Sequence, residues 1–510
     1  NITANNIKVL GDWNSNSGNI TAGTNIEAAK WNSKQGSITA GADIIVTGDW
    51  YSERSIISGI NITSSGSKWT SWGGITATGN IDIENELAFT GGRITVGGNL
   101  AAKKLNAYSD AYSGGLIFFN GSGTRKLSGA GGNNIIDGKI QNLEIKSGVT
   151  LKLESDITIT VGLNNQGEFD AVTKSKKVRL VHAAGLLTPP VPPNNITIKG
   201  NTSAVNTKFH NLECTNAGGK KLTINGKITV AGNFDMSGTA WNDLLNIEGP
   251  GEITLGSNQT PGGGTPPQKG YYLNIHTNIP ITGTYTYRVK ESKPDGTEQE
   301  IYTDKKPKNW IFDDCLIEMK WLGGSGTTDP EKTAWSAPKN WQPNGIPGIH
   351  TPVKIESGKT YYPKLTANVK AKTITLNGEL DLDSYTISDD AGGTSRSHID
   401  NKGKLKMTGT SGSPADQKTW LEIPPSNIGD CITHNDSSIV EYYGSTNNNV
   451  WKGPYKNLSL NNRPDLKINN EDLTVNGVLT VTGSGIHIKT GTGTQTYNGI
   501  ITATGKDITL

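Results

Sequence analysis

Apolar residues return every 18 or 19 positions through the first hundred residues, and a repeat that short leaves few folds open. Ile2, Ile20, Ile38, Ile56, Ile75 and Ile94 hold one phase, and Ile7, Ile26, Ile44, Ile62, Ile81 and Leu100 hold a second. Asn6, Asn25, Asp43, Asn61, Asn80 and Asn99 stand directly before the second phase. An aromatic phase follows at Trp13, Trp31, Trp50, Trp69 and Phe89. Each copy reads as an apolar strand, a Gly-x-Asn corner, a second apolar strand, a Trp strand and a Gly-rich corner.

Helical repeats need roughly 33 to 47 residues for their two or three helices, more than this unit holds. Leucine-rich repeats reach about 20 residues but require a Leu/Asn ladder that the chain lacks. The local pattern is that of strands: SITAGADIIVTGDW alternates Ile, Val and Thr with polar residues between Gly and Asp boundaries. Gly and Asn supply corners that accept positive φ. The expected fold is therefore all-β, a right-handed parallel β-helix (β-solenoid) with equivalent residues stacked roughly 4.8 Å apart. At roughly 20 residues per coil, the whole chain would wind about 20 to 25 coils. Stacked Ile would exclude water, and stacked Asn would pass amide hydrogen bonds from coil to coil.

The Trp row has two readings. It either packs one face or a wide corner, or it faces solvent and stacks on sugars, with Trp31 and Trp50 carrying the binding. Thr3, Thr21, Thr39, Thr76 and Thr95 form a further row that Ile57 is expected to interrupt. Flat Thr rows bind ice, but Thr is common on exposed strand faces in any case.

With 510 residues the chain is too long for one core, a limit that solenoids escape because each coil buries only its neighbours. The net charge is +2, from 48 basic and 46 acidic residues, and no basic face points to nucleic acid. Only 18% of residues are charged; Asn, Thr, Ser and Gly carry the polarity, a bias common in secreted bacterial β-solenoids. Cys214, Cys315 and Cys431 show no metal or framework spacing and read as isolated buried thiols, with a Cys315–Cys431 bridge as the alternative. No run of 18 apolar residues spans a membrane. The chain begins in mid-pattern without Met and ends in coil pattern at Gly499–Gly505, a near copy of Gly74–Gly79. Neither end carries an atypical polar cap, so a mature or trimmed fragment is expected, whose open strand edges pair end to end with copies or with more of a longer chain.

Four regions are expected: regular short coils over 1–108, longer repeats with a Pro-rich loop over 109–256, a loop and hairpin insertion over 257–320, and a Trp-Asn-Trp segment with continuing coils over 321–510. The longer repeat occurs three times, at Asn142–Leu163, Asn211–Phe234 and Asn457–Gly483, each opening Asn-Leu-x-apolar and each expected to make one or two coils. Leu186–Asn195 and Thr260–Gly270 hold Pro clusters and read as loops leaving the solenoid. Thr284–Thr303 is expected to protrude as a hairpin turning at Pro294-Asp295-Gly296.

The segment Trp321–Ile355 resembles the Trp-x-Gly-Gly…Trp…Asn-Trp…Gly-x-Pro…Val-x-Ile module of large bacterial surface exoproteins, with Trp321, Trp335, Asn340, Trp341, Pro347 and Val353 at the marked positions. Thr494–Leu510 is similar to the Gln-x-Tyr-x-Gly coil of filamentous-haemagglutinin-like and autotransporter-like proteins. The Asn-Leu-x-Ile repeats resemble those of long surface proteins from spirochaetes and Bacteroidetes. The resemblance implies an extracellular right-handed β-helix used as a stalk, adhesin or filament, and it supplies no catalytic residue. Trp451–Leu510 reads as further coil, with no outer-membrane barrel pattern.

No catalytic, cofactor-binding or metal-binding residue is assigned. His182, His210, His276, His350, His398, His434 and His487 are scattered singly, without a zinc-protease or triad arrangement. Asp313 with Asp314, and Asp381 with Asp383, are the best carboxylate pairs for a polysaccharide-cleaving β-helix, and also read as solvated surface acids. Asn-x-Ser/Thr triplets at Asn1, Asn19, Asn61 and Asn195 follow from the Asn-Ile-Thr repeat. The expected role is a secreted or surface-displayed structural protein: a shaft, or a filament or sheath subunit, with host or environmental glycans as candidate ligands. The alternatives are a polysaccharide lyase or glycosidase and a passive sugar-binding adhesin.

Overall fold

The computed structural model describes residues 1–53, 56–107, 115–182, 195–215, 219–240, 243–260, 270–276, 279–290, 292–295, 309–323, 329–385, 387–389, 397–408, 432–443, 448–449, 454–461, 465–468, 473–483, 487–490 and 494–504. It is nearly all β, and parallel strands stack into a β-solenoid of about 18 turns along the chain. Two compact units divide it: Asn1–Val289 with Pro294–Trp310, and Lys290–Lys293 with Ile311–Leu510.

In the first unit, strand alternation sets what is buried. Ser37–Ala40 puts Ile38 and Ala40 inside and Ser37 and Thr39 outside, as the two-residue period of a strand requires. Stacking then places like on like. Ile2 pairs with Ile20 and Ile20 with Ile38. Ile7, Ile26, Ile44, Ile62, Ile81 and Leu100 form an unbroken column. Each fully buried Ile contributes about 1.5–3 kcal/mol of hydrophobic stabilisation, so the columns are the principal apolar store of this unit.

Two register details differ from the expected phases. Ile57, not Ile56, stacks between Ile38 and Ile75; Ile56 is exposed. One coil is a residue longer, so adjacent isoleucines compete for the core position and the second takes it. The outer row therefore runs Thr39, Ser58, Thr76 without interruption, with the Ser58 and Thr39 hydroxyls 3.2 Å apart. The aromatic column runs Trp13, Trp31, Trp50, Trp69 and then Leu87; Phe89 belongs to the neighbouring column below Ser71.

The longer repeats make one coil each: Leu143 stacks on Leu163, Leu212 on Phe234 and Leu458 on Leu479. Within 257–320, Leu273 stacks on Leu245 and Ile281 on Ile253, so solenoid coils continue there. Pro294 and Asp295 lie on a strand of the large sheet, not in the expected turn, and residues 296–308 fall outside the described residues. Both Pro clusters, Pro189–Pro193 and Pro261–Pro267, also lie outside them.

In the second unit, the column Val353, Ile374, Ile399 and the column Leu380, Leu405, Val440, Leu458, Leu479 repeat the same logic with fewer identical residues. The Trp-Asn-Trp segment forms a compact aromatic cluster in this unit. Trp341 lies edge-on to Trp321 at 4.9 Å and to Trp335 at 4.7 Å, and its indole N–H donates to the Trp335 carbonyl at 2.7 Å. Fully buried Asn340 donates to the carbonyls of Glu331 and Ala334, which fixes the turn between the tryptophans.

Candidate functional site

The most repeated polar arrangement is the corner ladder. The side-chain oxygen of Asn6 accepts the backbone N–H of Asn25, Asn25 that of Asp43, Asp43 that of Asn61, Asn61 that of Asn80 and Asn80 that of Asn99, at 2.8–3.3 Å. Asn99 passes the ladder on to Lys126 at 2.9 Å. Asn211 and Asn457, at the heads of two longer repeats, accept the N–H of Asn233 and Val478 in the same way, each at 2.8 Å. Each of these corners thus satisfies a backbone donor that a sharp bend leaves unpaired, worth about 1 kcal/mol net per bond.

The Trp row packs the interior. Trp31, Trp50 and Trp69 are at most 1% exposed, with Trp50 stacked on Trp69 at 4.1 Å and Trp13 on Trp31 at 5.1 Å. No sugar reaches Trp31 or Trp50. Among the described tryptophans only Trp72, at 49%, is exposed. It stands at a corner after Ser71, outside the stacked phase, and the next coil sets Gly91 and Gly92 against Trp72 and Gly73. Trp72 was hidden in the sequence by its neighbour Trp69; the signal was its Trp-Gly-Gly context, which breaks the period.

Gly92 also borders a surface groove of about 620 Å³ in the first unit. Parallel strands Ile140–Ile145, Ile157–Asn165 and Asn195–Lys199 make its floor. Their outward positions carry Asn142, Glu144, Asn164, Asn195, Thr197 and Lys199. Gly162 stacks between Asn142 and Thr197 and leaves a dent in that row.

The two carboxylate pairs turn out differently from solvated acids. In the second unit Asp381 is buried and ends the strand Glu379–Asp381, while Asp383 sits in a turn at φ +52°. They share Lys364, whose Nζ is 3.6 Å from Asp381 and 3.3 Å from Asp383. The Tyr443 hydroxyl lies 2.8 Å from both Asp381 oxygens, and Thr408 donates to Asp383 at 2.9 Å. Burial, and then the Asp381 carboxylate, push the Tyr443 pKa up. Burial opposes the Lys364 charge, yet Asp381 and Asp383 outweigh it and raise that pKa. Tyr443 therefore keeps its proton and Lys364 its charge near neutral pH, and the cluster ties one coil to another. Asp313 and Asp314 hold a loop: Asp313 accepts the N–H of Ile346 at 3.1 Å, and buried Asp314 accepts that of His350 at 2.7 Å and meets its ring Nδ1 at 3.0 Å.

The remaining chemistry-bearing residues are dispersed. Burial raises the thiol pKa of Cys214 and of Cys315 to about 12, and both are free thiols; Cys431 lies outside the described residues. His182 bonds the Lys221 carbonyl at 2.9 Å, and burial lowers its pKa, as it does for His434 beside Tyr455. Among the described residues no group of three or more His, Cys, Asp or Glu is placed to hold a metal, and no helix is long and apolar enough to cross a membrane. No family model, curated protein or solved structure matches the chain.

Proposed function

We propose that the chain is an extracellular or surface-displayed structural protein, a shaft or a filament or sheath subunit, of the kind implied by the resemblance to filamentous-haemagglutinin-like and autotransporter-like exoproteins. The observation that carries this reading is the coil-to-coil identity of the Ile, Asn and Trp columns. Such repetition spends the sequence on a uniform support and leaves its most regular polar side chains engaged in stacking. No catalytic step is assigned, because the polar clusters at Asp314 and Asp381 are closed by partners within the fold.

Copies associate by adding coil to coil. Ile2–Ala4 pairs with Ile20–Ala22, and Ile501–Thr504 with Leu479–Thr482, in the same Ile-Thr-Ala alternation by which coil stacks on coil. Strand addition between like coils gives a heterologous, extendable contact. Electron microscopy of the purified chain over a rising concentration series tests this. Particles that lengthen support it, and particles of constant length at every concentration count against it.

A further inference from the structure

The geometry points to a binding strip for a neutral polysaccharide on the first unit, running from Trp72 across Gly91 and Gly92 into the groove floored by Asn142, Gly162 and Thr197. This strip is independent of the structural role proposed above. Three observations converge on it. The first is the exposed indole of Trp72. An apolar ring of this size ordinarily packs inside, as Trp31, Trp50 and Trp69 do here. In the following coil the register that stacks Ser71 on Phe89 brings exposed Thr90 next, and Gly91 and Gly92 then follow against the Trp72 carbonyl and Gly73. A half-exposed indole at a corner suits the apolar face of a sugar ring.

The second is the polar lining. The side chains of Asn142, Glu144, Asn164, Thr197 and Lys199 make no hydrogen bond to another described residue, unlike the Asn side chains of the corner ladder. Amides and hydroxyls offer both donors and acceptors, which is what a ligand rich in hydroxyl groups requires. Within the groove itself Glu144 and Lys199 balance in charge, which favours a neutral ligand over a polyanion there, while Arg93 at the head of the row packs over the Phe118 ring at 3.6 Å. A peptide is disfavoured because the strands here already pair on both sides, Gly162 between Asn142 and Thr197, so no open edge remains for strand addition.

The third is extent. Register carries the outer row from Arg93 through Leu116, Asn142 and Gly162 to Thr197, and Trp72 stands one coil before Gly91. Five coil steps span about 24 Å at roughly 4.8 Å each, a length for a polymer and not for a single sugar. The groove volume of about 620 Å³ lies within the range of small-ligand sites.

The test is affinity electrophoresis of the full chain through gels containing a neutral β-glucan, mannan or galactan, with heparin as the polyanion. Retardation by at least one neutral polymer is expected. Trp72→Ala should weaken it about tenfold, the scale of one aromatic contact, and Trp72→Tyr should restore most of it. The double variant Asn142→Ala with Asn164→Ala should weaken it as well. Both sites are on the surface, so thermal unfolding of these variants should match the parent. Retardation by no neutral polymer, retardation by heparin alone, or equal retardation of the parent, Trp72→Ala and the double variant would overturn the proposal.

Discussion

The short coils of the first unit and the coils of the second bury similar apolar columns, yet they differ in how regularly one polar joint repeats from coil to coil. In the first, Asn6 to Asn99 repeat one neutral contact, a side-chain oxygen accepting the next corner's N–H. In the second, that contact appears at Asn457, while Lys364, Asp381, Asp383 and Tyr443 form a charged cluster with no repeat from coil to coil. The difference follows from repetition. An amide both donates and accepts, so identical Asn residues stack without repulsion. Identical charges would repel at coil spacing, so charged joints must alternate in sign and lose the repeat. Lys68 and Lys104 flanking Glu86 show the same alternation on the outer face of the first unit.

The largest effect that separates the two chemistries from the shared backbone geometry belongs to the corners. Gly36 has φ +109°, and a Cβ there would fall 2.1 Å from the Gly18 carbonyl oxygen. Gly36→Val should cost about 4 kcal/mol or more, measured by urea unfolding. Gly148, at φ +85° with open space around it, isolates strain from the clash; Gly148→Ala should cost only about 1–2 kcal/mol. Similar losses at both positions would mean that coil spacing is not what excludes a side chain.

Next in size is the aromatic column. Trp50→Ala removes a buried ring sandwiched between Trp31 and Trp69 and should cost about 3–5 kcal/mol, with loss of the near-ultraviolet circular dichroism of the stacked indoles. The amide ladder comes third. Asn80→Ala leaves the Asn99 N–H without its partner and should cost about 1–3 kcal/mol, whereas Asp43→Asn restores the uniform ladder and should be close to neutral. Equal and negligible effects of both would show that solvent satisfies these corners.

The smallest effects are in pH, and they have opposite signs. Glu213 is held below its ordinary pKa of 4.5: burial opposes this, but Lys177 and Arg179, each 2.9 Å away, prevail. A depressed folded pKa gives stability that is present above about pH 4.5 and is lost as pH falls through the folded value, so Glu213→Gln should flatten the acid limb of the stability curve. Tyr443 and Lys364 have raised folded pKa values. Their contribution is present below about pH 10 and is lost as pH rises further, so Tyr443→Phe should flatten the alkaline limb.

The period in the sequence foretold the fold well, because a solenoid stacks residues that are also equivalent in the chain. The Ile columns and the Asn ladder were legible for that reason. Local shifts were not: Ile56 and Ile57 both fit the core position, and only the stacked register decides between them. The Trp ladder was legible as a column but not its direction, since alternation does not say which face of a corner turns inward. The groove was illegible because Asn142, Gly162 and Thr197 meet through coils of unequal length. The tie between Asp381 and Tyr443 joins residues 62 apart, with no period to announce it.

The structural role is tested most directly by immunogold electron microscopy of intact source cells with antibody against this chain. A structural element of an extracellular assembly predicts label along fibres or a surface layer. Label confined to the cell interior, or diffuse in the medium with no associated structure, would contradict it.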